Sequence, residues 1–353
     1  MLVFKSKKLI IAMAFSTLLI GGCSKNSSEV KEDDTNKVDE ETAIEEPTQE
    51  GTEVAPLTGE AVKEEITQRP IIVTINNHQK ARPQSGIEAA DIIYEMLAEG
   101  DVTRLLAVYQ SELPETVGPV RSARSYFIDL AKGFDAFYVA HGYSPEAKSM
   151  LSNNVVDNIN GMEYDGTLFK RSKDRVAPHN SYITSENIVN GAKKVGASMS
   201  YREKVNQAFY EPDERGKIGI ETSRVDINYG NSEYFHNSYL YDHQSNRYGR
   251  QSAGVDTKDM LTGDTLSIAN VLFFEMKHRT IDNEGRQEID LTSGGNAYVF
   301  QNGYMREVKW ANIDGIPMAV EESGELVKLV PGKSWVHFVP TSPGLKAMVK
   351  TQP

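Results

Sequence analysis

Gly118-Pro119-Val120-Arg121-Ser122-Ala123-Arg124 is the stretch of this chain richest in chemistry. If Ser122 caps a helix over 122–132, Arg121 and Arg124 sit at its N-terminal end. That end already carries free backbone N–H groups and partial positive charge. Two guanidinium groups there require an anion. It is either a carboxylate or phosphate on a ligand, or the chain's own Glu95, Glu99 or Asp129. Glu95 and Glu99 are the second feature. A hairpin with strands over 92–99 and 102–110, turning at Gly100-Asp101, puts both carboxylates on one face with Arg104, which then stands opposite Leu97. A helix over 90–99 also makes them neighbours. Two close carboxylates of unequal acidity can divide acid and base roles in glycan hydrolysis. Internal salt bridging is the alternative for the same residues.

The histidines offer a third possibility. His78 and His141 each follow a predicted strand end, and His179 lies in Pro178-His179-Asn180. Loops at strand ends often build sites, so Asn76, Asn77, His78 and His141 join Arg104, Arg121 and Arg124 as candidate ligand-binding or catalytic residues. No His-Glu-x-x-His or comparable spacing is present, so neither a metal nor a cofactor is expected. Tyr239, Tyr241, Tyr248, Trp310 and Trp335 could stack on sugars or pack inside strands.

These residues need a scaffold. Ile71 to Ile75 reads as a buried strand and Ala136 to Ala140 as another. Ser144-Pro145-Glu146 reads as an N-cap, a proline in the first turn and a first-turn acid. A further helix fits 184–195. Mixed strands and helices predict a mixed α/β domain over 69–210. From 211 to 353, short strand-like runs separated by Gly, Asn and Pro predict an antiparallel β-rich domain, including runs at 225–229, 271–276, 326–330 and 334–339. The fold class is therefore α+β.

The N-terminus sets the location. Lys5, Lys7 and Lys8 precede an apolar run from Leu9 to Ile20, and Gly21-Gly22-Cys23 follows. Residues 1–22 read as a signal peptide, too short for an ordinary membrane span. The Ile20-Gly21-Gly22-Cys23 sequence resembles the lipobox of bacterial lipoproteins. That resemblance implies cleavage before Cys23, a thioether-linked diacylglycerol and acylation (palmitate or a similar chain) of the new N-terminus. At about 0.8 kcal/mol per buried methylene, two or three chains anchor stably. Cys23 is the single cysteine, which excludes an intramolecular disulfide. Residues 24–68 carry 14 acidic and 4 basic side chains and no aromatic one. Such a segment reads, with Cys23, as a disordered acidic tether over 23–68, with a mean span of roughly 35–40 Å. Of the formal charge of −12, little remains for the folded part, and no basic arm suggests nucleic acid.

Arg69-Pro70, Asn76-Asn77-His78, Ala81-Arg82-Pro83-Gln84, Ala90 to Glu95, Glu99-Gly100, Thr103-Arg104 and the Gly118–Arg124 stretch occur in the first region. Tyr241-Asp242, Tyr248-Gly249-Arg250, Asn270-Val271 and Pro331 to Trp335 occur in the second. Together with the lipobox, this set resembles the YerB-type lipoprotein family of Gram-positive bacteria. The resemblance implies two adjacent domains of unknown function and supplies no catalytic residues.

These features predict a membrane-anchored extracytoplasmic lipoprotein that binds or scaffolds a cell-envelope component through an Arg-lined cleft. That component would be an anionic cell-wall polymer or an envelope-assembly protein. Alternatives are a wall-glycan hydrolase or lyase using Glu95 and Glu99 with a histidine, and a solute-binding lipoprotein of a transporter. Cys23→Ala is expected to move the protein from the membrane to the soluble fraction on cell fractionation. Full membrane retention of the variant contradicts lipid anchoring.

Overall fold

A computed structural model describes residues 53–202, 205–211, 214 and 218–353. The signal, Cys23 and the tether as far as residue 52 lie outside the described residues. In chain order, the elements that matter are β1 (Ile71–Asn76), β2 (Ile92–Glu99), β3 (Val102–Tyr109), α1 (Ser125–Gly133), β4 (Phe137–Ala140), α2 (Pro145–Ser152), β5 (Asn158–Asn160) and α3 (Ser185–Val195). After them come β6 (Ile220–Glu221), β7 (Arg224–Asn228), β8 (His236–Asp242), β9 (Arg247–Ser252), β10 (Val255–Asp256), β11 (Asn270–Met276), β12 (Gly295–Gln301), β13 (Tyr304–Ile313), β14 (Ile316–Val320), β15 (Ser334–Pro340) and β16 (Val349–Gln352).

Local chemistry explains most of these. β1 is an unbroken Ile-Ile-Val-Thr-Ile-Asn run, buried at every position, as a strand covered on both faces must be. β2 and β3 form the predicted hairpin around Gly100, whose φ of +52° suits glycine. Ser144 caps α2 by accepting from the Ala147 N–H, and Thr184 caps α3, which ends on left-handed Gly196.

One sheet of eleven strands runs in the order β6-β13-β12-β11-β15-β2-β3-β1-β4-β5, with β14 paired to β13. β15 pairs parallel with β11 on one side and with β2 on the other. A strand from the second half therefore completes a sheet begun in the first, and the predicted antiparallel region contributes two parallel junctions. β1, β4 and β5 are mutually parallel. One face of the sheet packs on the five-stranded antiparallel sheet β10-β9-β8-β7-β16 and on α3; the other packs on α1 and α2. Tyr239, Tyr248, Trp310 and Trp335 are fully buried in this core, so they pack rather than await sugars.

Three expectations need correction. The helix predicted from 122 begins at Ser125, and its N-cap is Arg124, which makes no side-chain capping bond. Ser122 instead lies in extended chain, held by Arg121 N–H to the Thr74 carbonyl and His141 N–H to the Arg121 carbonyl. Residues 326–330 form no strand but isolated bridges, because their backbone divides its pairing, Leu326 with Val320 and Leu329 with Phe209. The predicted tether also ends early, since residues 53–68 are folded. Glu53–Val54 pairs with Ala61–Val62, Leu57 is 2% exposed, and the Gly332 N–H donates to the Thr58 carbonyl at 2.7 Å.

Burying Leu57 ties this segment to the α1 side of the core. Leu57→Ala is expected to lower unfolding free energy by about 2–5 kcal/mol in urea titrations. A change within about 0.5 kcal/mol, the usual effect at an exposed site, contradicts that packing.

Candidate functional site

A β-bulge in β2 organises the charged residues. Met96 pairs with Arg104 and Leu97 with Thr103, but Glu99 then pairs with Val102, leaving Ala98 as an extra residue. Each extra residue turns the following side chain to the opposite face. Glu95 thus points to the face of the five-stranded sheet, while Glu99 joins Arg104. Arg104 stands opposite Met96, not Leu97, and the two carboxylates predicted to be neighbours are separated by the sheet.

Glu95 is fully buried and saturated. Its Oε1 accepts from Asn77 Nδ2 (3.1 Å), Thr103 Oγ1 (2.9 Å) and Asn237 Nδ2 (3.0 Å). Its Oε2 accepts from Arg250 Nη2 (2.8 Å) and Trp335 Nε1 (3.2 Å). Arg250 lies over the Trp335 ring at 4.3 Å and donates further to Tyr239, Asn237 and Thr257. Burial pushes the Glu95 carboxyl up, but Arg250 and the other donors hold it below its usual range. Beside it, His337 bonds the Tyr239 and Tyr229 hydroxyls, and burial pushes its pKa down to about 3. A carboxylate held ionised with five donors and no solvent cannot act as a general acid, so the predicted Glu95–Glu99 acid/base pair has no geometry here. Asn77 belongs to this closed network as well.

Glu99 collects the arginines. Arg104 Nη2 donates to both of its oxygens, at 2.6 and 2.9 Å, and Arg104 Nη1 donates to the Ser122 carbonyl at 2.5 Å. Arg124 pairs with the same carboxylate. Burial and then Arg124 press Arg104 down to about 9, so it remains charged at neutral pH. The half-buried Arg121 makes no side-chain hydrogen bond or ion pair with any described residue, although Glu99 and Arg124 lie within electrostatic reach. Of three neighbouring guanidinium groups, Glu99 pairs with two.

The three predicted histidines do converge on Arg121. β1, β4 and β5 present their carboxyl ends together, and Asn76 to His78, His141 and Asn160 sit at those ends, where open parallel sheets place ligands. His78 stacks on His179 at 4.7 Å between ring centroids, and Asn76 Nδ2 donates to His179 Nδ1 at 2.9 Å. His141 bonds Ser181 Oγ and receives a hydrogen bond from Arg171 Nη2 at 2.9 Å. That bond occupies its Nε2 lone pair, so His141 is poorly placed as a base. A Cβ on Gly161 would fall 2.2 Å from His141 Nδ1, so only glycine admits the ring. Burial lowers the pKa of all three rings. Arg171 lowers that of His141 further, Lys80 and Arg82 that of His78, and Arg121 contributes to all three. Lys80, Arg171 and Arg175, which spacing did not single out, add to this positive field.

The fold is thus a two-part α+β protein with a cluster of cationic side chains at the strand ends. Two models of a protein of unknown function, DUF3048, match the chain: the N-terminal domain over residues 57–198 and the C-terminal domain over residues 225–336. A Bacillus subtilis (strain 168) protein named as a lipoprotein, YerB, is 42% identical over 288 residues, covering 81% of this chain and 86% of its own length. The crystal structure of YerB from Bacillus subtilis matches with a TM-score of 0.78 at 40% identity, covering 85% of this chain and 99% of that one. The chain belongs to the YerB-type lipoprotein family.

Removing Arg250 would leave a buried carboxylate without its ion-pair partner, whereas Arg121 holds nothing together. Arg250→Ala is expected to cost about 3–5 kcal/mol of stability. Arg121→Ala is expected to cost less than about 0.5 kcal/mol. Chemical denaturation distinguishes the two, and equal losses contradict the division into a closed and an open centre.

Proposed function

We propose that this chain is held to the extracytoplasmic face of the membrane by a lipid on Cys23 and binds an anionic cell-envelope polymer at the Arg121 cluster. The carrying observation is the unpaired Arg121 guanidinium beside Arg104 and Arg124, which have only Glu99 between them. Arginine's planar fork suits phosphate or carboxylate oxygens. The stacked His78–His179 pair, with Lys80 and Arg175 nearby, extends the positive surface along the strand ends. Repeating charge along a polymer suits such an extended surface better than a single anion does. The lipid and the acidic segment after Cys23 keep the cluster near the envelope.

The experiment is calorimetric titration of the full chain with purified poly(glycerol phosphate) teichoic acid. Losing one charge-assisted contact costs about 1.5–3 kcal/mol, so Arg121→Ala is expected to weaken binding roughly ten- to hundredfold. Salt is expected to weaken it further by screening. Both imidazoles titrate below 6.5, and only their protonated forms attract an anion. Binding is therefore expected to strengthen as pH falls through those lowered values and to fade as it rises. Absence of binding, or binding indifferent to Arg121, overturns the proposal.

A further inference from the structure

A cavity borders the Glu95 network on its Arg82 and Arg250 side, and Arg121 does not line it. Its volume is about 540 Å³, within the range typical of small-molecule sites. Arg82 and Gln84 from the first half and Tyr234, Arg250, Val255 and Lys258 from the second half line it. The wall holds an unfinished hydrogen-bond arrangement. Arg82 donates through Nε to Asn77 Oδ1 (3.2 Å) and through Nη1 to the Tyr234 carbonyl (2.8 Å) and Ser252 Oγ (2.7 Å). Its Nη2 is buried and has no partner. A buried donor without an acceptor is costly, so native folds rarely leave one. Arg82 and Arg250 also share the charge of one carboxylate, Glu95.

The rim decides the ligand class. Val255 is 69% exposed and Tyr234 42% exposed, and both border the cavity. The entrance is thus apolar above a cationic floor. Glu233 and Asp256 also border it and would repel a dianion. We propose that this cavity binds a monoanionic carboxylate with an apolar body, such as an acylated amino acid or a peptide C-terminus. The carboxylate accepts from Arg82 Nη2, and the apolar body lies between Tyr234 and Val255. Because Nη2 is closed to water, the entering oxygen must part the wall at that point.

The test titrates the full chain with N-acetyl-phenylalanine and N-acetyl-leucine, with their primary amides, and with phenyl phosphate. Saturable binding of a carboxylate is expected, with the matching amide at least about tenfold weaker and phenyl phosphate weaker than the carboxylates. Val255→Trp, which fills the entrance from an exposed position, should abolish binding without touching the buried network. Arg82→Lys, if it folds, should weaken binding at least about tenfold by removing the fork. Arg121→Ala should leave it unchanged, which separates this site from the polymer site. No saturable binding of either carboxylate overturns the proposal. So does equal affinity for an amide, tighter binding of phenyl phosphate, indifference to Val255→Trp, or loss on Arg121→Ala.

Discussion

The ion pair between Glu95 and Arg250 is the constraint on which the architecture depends. A carboxylate at 0% exposure is tolerable only if every lone pair is answered. The donors come from Asn77 and Thr103 in the first half and from Asn237, Arg250 and Trp335 in the second. Neither half can satisfy the charge alone. The insertion of β15 between β11 and β2 makes the same demand on the backbone, since its two edges pair with strands from different halves. Charge and sheet together make the two family domains fold as one body over the described residues.

The bulge at Ala98 gives the two glutamates opposite fates. Glu95 faces inward and is closed by five donors. Glu99, turned to the other face, remains partly exposed at 29% and gathers Arg104 and Arg124. Arg121 stays open because the chain from Pro119 to Ala123 runs extended between the ends of β1 and β4, out of bonding range of the carboxylate its neighbours use. One inserted residue therefore separates a structural charge centre from a candidate binding centre.

Much of this was legible beforehand where the signal is local. The hairpin at Gly100, the Ser144 cap, the helix at 184–195 and the strands read at 71–75 and 136–140 follow from turn chemistry, capping and apolar runs. The convergence of His78, His141 and His179 was legible as strand-end loops, although their stacking and bonding were not. The bulge was not legible, because Leu97-Ala98-Glu99 carries no glycine to mark it. Arg247–Ser252 escaped notice as a strand, since Arg-Tyr-Gly-Arg-Gln-Ser lacks both an apolar alternation and a β-branched run. The strand forms because tertiary partners take its side chains. The folded segment at 53–68 was hidden by its acidic composition, which masks the few apolar residues that pack.

By itself the sequence determined the α+β class, the hairpin, the cluster of arginines and the resemblance of Ile20–Cys23 to a lipobox, because each rests on neighbours within a few residues. Only the tertiary structure decided which arginine is free, which glutamate is sealed and where the two halves join. Those outcomes turn on register and on pairings across more than a hundred residues, such as Glu95 with Arg250. A shift of one residue reverses a strand's faces without changing its composition.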